Sequence, residues 1–109
     1  MARVLIADSS HEVAALLETL LASLGHEAIS VDGLGSAELP EADLLFFSPA
    51  DPANVELARA FRLRARGAAV VCMSALPPGE EVEALGLSGY LPKPFGLDEL
   101  RDVVDSVLA

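Results

Sequence analysis

The sequence predicts an α/β fold, a parallel sheet of five strands with helices on both faces. Two observations carry that reading. Five short strand-like segments alternate with segments of helical periodicity, the pattern of repeated βαβ units. The first, third and fourth segments are apolar at nearly every position, as strands buried on both faces are.

Arg3-Val4-Leu5-Ile6-Ala7-Asp8 is the first strand, ending in a carboxylate. Ser9 then reads as a helix N-cap, and Glu12 three residues on completes a capping box. Val13, Leu16, Leu17, Leu20, Leu21 and Leu24 follow at helical spacing and form one wide apolar stripe. Gly25 ends this helix in the position that favours a left-handed residue. Glu27 to Val31 is a second, shorter strand. The next connection, Asp32 to Ala42, holds two glycines and a proline and is short for a helical crossover. One turn over Ser36 to Leu39 is all it accommodates, so the second crossover helix is expected to be short or missing. Such a gap would uncover the sheet near strands one and three and favour self-association there.

Leu44 to Phe47 is the third strand, stopped by the turn Ser48-Pro49-Ala50-Asp51-Pro52. Pro52 to Arg66 is helical, with Val55, Leu57, Ala58, Phe61 and Leu63 apolar and Gly67 as its stop. Ala69 to Ser74 is the fourth strand, and Pro77-Pro78-Gly79 turns into a short helix over Glu80 to Leu85, ended by Gly86. Gly89 to Pro92 is the fifth strand. Gly96 opens a last helix with Leu97, Leu100, Val103, Val104, Val107 and Leu108 on its buried stripe. Right-handed crossovers then favour a flavodoxin-like doubly wound sheet in the order 2-1-3-4-5. With 109 residues and no internal repeat or linker, residues 1–109 read as a single domain.

Composition narrows the function. Apolar residues make up 52% of the chain without any tryptophan, so the core is aliphatic. Seven basic against 17 acidic residues give a formal charge of −10. Phosphate backbones are bound through Lys and Arg that release counterions, so direct nucleic-acid binding is not expected. Nor is an anionic membrane surface. The single cysteine, Cys72, allows no internal disulfide and sits in an apolar run as a small core residue. No signal peptide or membrane-spanning stretch is visible, and a cytoplasmic location is expected.

In an open α/β sheet, chemistry sits beyond the carboxyl ends of the strands. The residues there are Asp8 with Ser9, Ser48, Ser74 and Lys93. At this point the whole chain resembles the receiver domains of bacterial two-component response regulators. The resemblance rests on Val4-Leu5-Ile6-Ala7-Asp8 before an amphipathic helix, Asp43-Leu44-Leu45-Phe46-Phe47 before the site, Ser74-Ala75, and Gly89-Tyr90-Leu91-Pro92-Lys93-Pro94-Phe95. It implies that Asp8 matches the first member of an acidic pair that holds magnesium, while Ser9 replaces the second. It also implies that Ser48 stands where a phospho-accepting aspartate belongs. Ser74 matches the hydroxyl that contacts the phosphoryl group, Tyr90 the switching aromatic and Lys93 the family lysine. Lys93-Pro94 matches a bond that is usually cis. The face formed by the last strand and the last two helices is a common dimer or partner surface in the family.

The residue chemistry argues that this is a degenerate receiver. One carboxylate beside a lysine offers magnesium too little negative charge. An acyl phosphate needs a carboxylate nucleophile, and a serine hydroxyl is poor without an adjacent base. His11, on the first turn of the first helix, and His26, before the second strand, are not placed to act as that base. The expected function is therefore a phosphorylation-independent protein-interaction module, not an enzyme, with no cofactor or metal and a signalling protein as partner. The alternative is an active phosphotransfer switch using Ser48 or Asp51 as acceptor. A purely structural domain cut from a larger regulator, with an output domain following in the longer parent, is a third option.

Simpler readings stand beside these. Ser9 is explained as an N-cap contributing ~1 kcal/mol, Ser48 as a small polar strand end, and Asp51 as a turn residue. Asp8 and Lys93 are expected to pair, for ~0–1 kcal/mol if exposed. Arg59, Arg62 and Arg66 share one helical stripe, read as a solvated face or as a docking patch for an acidic partner. Tyr90 reads as a half-buried packed aromatic or as an interface residue.

Overall fold

The computed structural model describes residues 2–31, 35 and 38–109. Its elements run β1 (Arg3–Ala7), α1 (His11–Ser23), β2 (Glu27–Ser30), β3 (Leu44–Phe47), α2 (Pro52–Arg64), β4 (Ala69–Ser74), α3 (Glu80–Glu83), β5 (Gly89–Pro92) and α4 (Leu97–Leu108). The five strands form one sheet in the order β2-β1-β3-β4-β5, and each neighbouring pair is parallel. This is the expected flavodoxin-like order.

Continuous apolar strands sort their side chains by parity onto two cores. Leu5, Ala7, Leu45, Phe47, Val70 and Cys72 face α2 and α3, with Val55, Ala58 and Phe61 packed on them. Val4, Ile6, Leu44, Phe46, Val71, Met73 and Leu91 face α1 and α4, against Leu17, Leu21, Leu100 and Val104. All of these strand residues are fully buried, which is why no polar alternation appears in the sequence.

Several boundaries differ from expectation. The N-cap of α1 is Ser10, not Ser9: its side chain accepts from the Val13 N–H at 3.4 Å, while Ser9 is exposed. The Asp8 carboxylate draws in the Ser10 N–H at 2.9 Å, which delays the first turn by one residue. Leu16 is 47% exposed and so lies off the buried stripe. Gly25 ends the helix at φ 88, as its position predicts. The strand after it stops at Ser30. Helix α2 stops at Arg64 with Ala65 as C-cap, so Gly67 follows the end rather than making it, and Leu63 is 70% exposed. Helix α3 is shorter than expected, and Gly86 follows it at φ 75.

Residues 32–34, 36 and 37 of the second connection, and hence part of the expected turn over Ser36 to Leu39, lie outside the described residues. Among the described residues no α-helix stands between β2 and β3; Glu38 lies in a tight turn, its N–H bonded to the Gly35 carbonyl at 3.0 Å. The expected uncovered face is not found at strands one and three. Val31 and Leu39 join the core on this side, and Leu5, Ala7, Leu45 and Phe47 are fully buried. A short connection can cover a small sheet if it supplies apolar side chains in the right place.

Candidate functional site

Parallel pairing aligns the carboxyl ends of four strands into one rim. Ala7 is paired with Phe47, and Phe47 with Cys72, so Asp8 and Ser48 leave the sheet side by side. The Ser48 N–H continues the ladder to the Ala7 carbonyl at 2.9 Å, and the Lys93 N–H bonds the Ser74 carbonyl at 3.0 Å. Asp8, Ser48, Ser74 and Lys93 therefore share the rim, as expected. Ser9 sits at its exposed margin.

The centre of the rim is an ion pair. Lys93 Nζ donates to Asp8 Oδ2 at 2.7 Å, and the Ser10 N–H donates to Asp8 Oδ1 at 2.9 Å. The Asp8 side chain is only 4% exposed and that of Lys93 is 23% exposed. The expected pair forms, and it is buried enough that the small value for an exposed pair does not apply. Removing one partner would strand a charge in a desolvated place, at a cost on the order of 3 kcal/mol.

Ser48 is 7% exposed. Its carbonyl accepts from Asn54 Nδ2 at 3.2 Å, and its hydroxyl makes no hydrogen bond to a described residue. Asn54 is itself 5% exposed and fixes the turn after β3. Sequence reasoning missed it, although Asn54, Ala58 and Phe61 share one buried helical stripe. Ser74 Oγ accepts the Leu76 N–H at 3.2 Å, closing the turn after β4. The half-buried Tyr90 hydroxyl lies 2.7 Å from the Ser74 carbonyl and 2.9 Å from the Leu76 carbonyl, sharing its one proton between them. The Lys93–Pro94 bond is cis.

Other candidates have different work. Asp51 does not fold toward the rim; its carboxylate caps α2 by accepting from the Ala53 N–H at 2.9 Å. The arginine stripe is partly engaged within the chain, with Arg66 exposed. Arg59 pairs with Glu56 and lies 3.9 Å from Glu81, and its hydrogen bond to Glu56 holds its pKa above the ordinary value. Arg62 donates to the Ala68 carbonyl at 3.3 Å, and Arg66 lies beyond the helix end. The spacing was legible, but partners on other elements were not. His11 opens α1 at the surface, and His26 accepts the Ala2 N–H on Nδ1 at 3.0 Å, far from the rim.

Magnesium requires near-octahedral oxygen ligands, usually with one or two carboxylates among them. Here Asp8 supplies one, already hydrogen-bonded through both oxygens, and Ser48 brings a hydroxyl. Among the described residues no group of three or more His, Cys, Asp or Glu could hold a metal ion. The donor set does not fit a resident magnesium. A groove of about 750 Å³ lies at the opposite end of the sheet, between Arg3, Glu27, Glu41, Asp43 and Arg64. Arg3 Nε pairs with Glu27 there at 3.3 Å, and the Arg3 backbone N–H donates to the Asp43 carboxylate at 2.9 Å. It has no geometric link to the rim. No helix among the described residues is long and apolar enough to cross a membrane.

The fold can be matched to solved structures. The Vibrio cholerae chemotaxis protein CheY4 superposes with a TM-score of 0.85 at 24% identity, over 98% of both chains. A two-component response regulator from Clostridium difficile gives 0.83 at 20% identity, over 99% of this chain and 96% of that one. TrrA of Thermotoga maritima, a response regulator in complex with Mg2+ and BeF, gives 0.79 at 21% identity, over 98% and 99%. No protein-family model matches the chain, and no curated protein matches it in sequence. The chain has the fold of response-regulator receiver domains.

Proposed function

We propose that this chain is a degenerate receiver of two-component-type signalling that acts through contact with a protein partner, without aspartyl phosphorylation. The observation that carries the reading is the rim itself: Asp8 is closed on Lys93 at 2.7 Å, and a buried serine stands at the end of β3. A phosphoryl transfer to the rim would need a carboxylate nucleophile and a cation to neutralise the developing charge. This rim offers a hydroxyl with no bonded base and a carboxylate that is already neutralised.

The alternative acceptors have less support. Ser48 lacks an activating base within the rim, and the Asp51 carboxylate is committed to the α2 N-terminus. A net charge of −10 favours a protein partner over nucleic acid. The test is intact-mass analysis after incubation with acetyl phosphate and Mg2+. The expected result is an unchanged mass; gain of one phosphoryl group, lost in Ser48→Ala or Asp51→Asn, would establish the phosphotransfer reading instead.

A further inference from the structure

Asp8 and Lys93 are 85 residues apart in sequence and stand at the ends of β1 and β5. In the order β2-β1-β3-β4-β5 those strands are three steps apart, roughly 14 Å at the usual strand spacing. For Nζ to come within 2.7 Å of Asp8 Oδ2, the two side chains and the backbone that carries them must lean toward each other over the ends of β4 and β3. Ser48, which is 7% exposed, directly follows β3. The backbone is pinned for this reach, since the Lys93 N–H is bonded to the Ser74 carbonyl at 3.0 Å.

We infer that the Lys93 ammonium is the resident cation of this rim: it clasps Asp8 over Ser48 and excludes a divalent ion from the carboxylate. The inference builds on the reading of the rim as non-phosphorylating. A divalent ion bound to Asp8 Oδ2 would lie within roughly 5 Å of the ammonium, two like charges in a poorly solvated place. A lysine tethered in the same chain also competes at an effective concentration no free ion matches cheaply. Two further carboxylates would change that balance. Among the described residues no such group of three forms, and the Asp51 carboxylate caps α2.

The test uses Mn2+ as the probe, read by paramagnetic resonance and by thermal melting at constant ionic strength. The wild-type chain is expected to bind no Mn2+ at millimolar concentration and to melt at an unchanged midpoint. Lys93→Met is expected to melt on the order of 10 °C lower and to regain part of that loss when Mn2+ is added. Asp8→Asn with Lys93→Met, a neutral pair, is expected to melt above the single variant and to ignore Mn2+. It also reads the clasp if the single variant fails to fold. Mn2+ binding by wild type that disappears in Asp8→Asn overturns the inference. So does a Lys93→Met protein with an unchanged midpoint, or one as indifferent to Mn2+ as wild type. Wild-type Mn2+ binding without phosphoryl gain would remove the clasp and leave the proposed function standing. Phosphoryl gain without Asp8-dependent Mn2+ binding would do the reverse.

Discussion

Cys72 lies fully buried in β4, and burial pushes its thiol from the ordinary 9.0 up to about 11, with Lys93 opposing. The folded state thus keeps a proton that the unfolded chain releases. Because the folded pKa is the higher one, the stabilisation is fully present below about 9 and is lost as pH rises through 11. Two pH units correspond to at most about 2–3 kcal/mol. Denaturant titrations at several pH values should show stability falling between pH 9 and 11, with a shallower fall in Cys72→Ala. A native chain alkylated at pH 8 as fast as in denaturant would contradict the buried thiol. The caps make a second residue-scale contrast. Ser10→Ala should cost about 1 kcal/mol, and Ser9→Ala less than about 0.5 kcal/mol, measured by urea unfolding. Both serines suit an N-cap by type, so sequence alone could not choose between them. The choice is made by the Asp8 carboxylate, which binds the Ser10 N–H.

At the scale of elements, strand positions were legible because burial on both faces leaves an unbroken apolar signature. Helix faces were less so. Leu16 and Leu63 fit a helical stripe by spacing, yet each sits at the stripe's edge and faces solvent. Asn54 was invisible for the opposite reason: it is polar but buried, held by the carbonyl of Ser48. The connection between β2 and β3 tests how such details add up. Leu39 is 6% exposed and belongs to the core over β1 and β3. Leu39→Ala should therefore cost about 2–4 kcal/mol, whereas Leu63→Ala should change stability by less than about 0.5 kcal/mol. Equal effects in chemical denaturation would mean that the connection does not cover that face.

For the whole molecule, the sheet order decides what sequence could only suggest. The rim residues were readable one by one as strand ends, but the pairing of Asp8 with Lys93 exists only because the doubly wound order sets β1, β3, β4 and β5 side by side. If the scaffold still has a receiver's rim and lacks only its carboxylates, restoring them should restore the chemistry. Ser9→Asp with Ser48→Asp would take the rim from a neutral ion pair to a net charge of about −2. That would give Lys93 a second partner and free Asp8 for magnesium. The substitution at position 48 adds a charge to a buried site and should lower stability by roughly 1–3 kcal/mol. With 27 buried hydrophobic residues among those described, folding should survive, which circular dichroism would check. Incubated with acetyl phosphate and Mg2+, the double variant should gain one labile phosphoryl group. The same variant carrying Asp8→Asn should gain none. A folded double variant of unchanged mass would mean that carboxylates at positions 9 and 48 are not sufficient for the chemistry in the geometry set by Ser74, Tyr90 and Lys93.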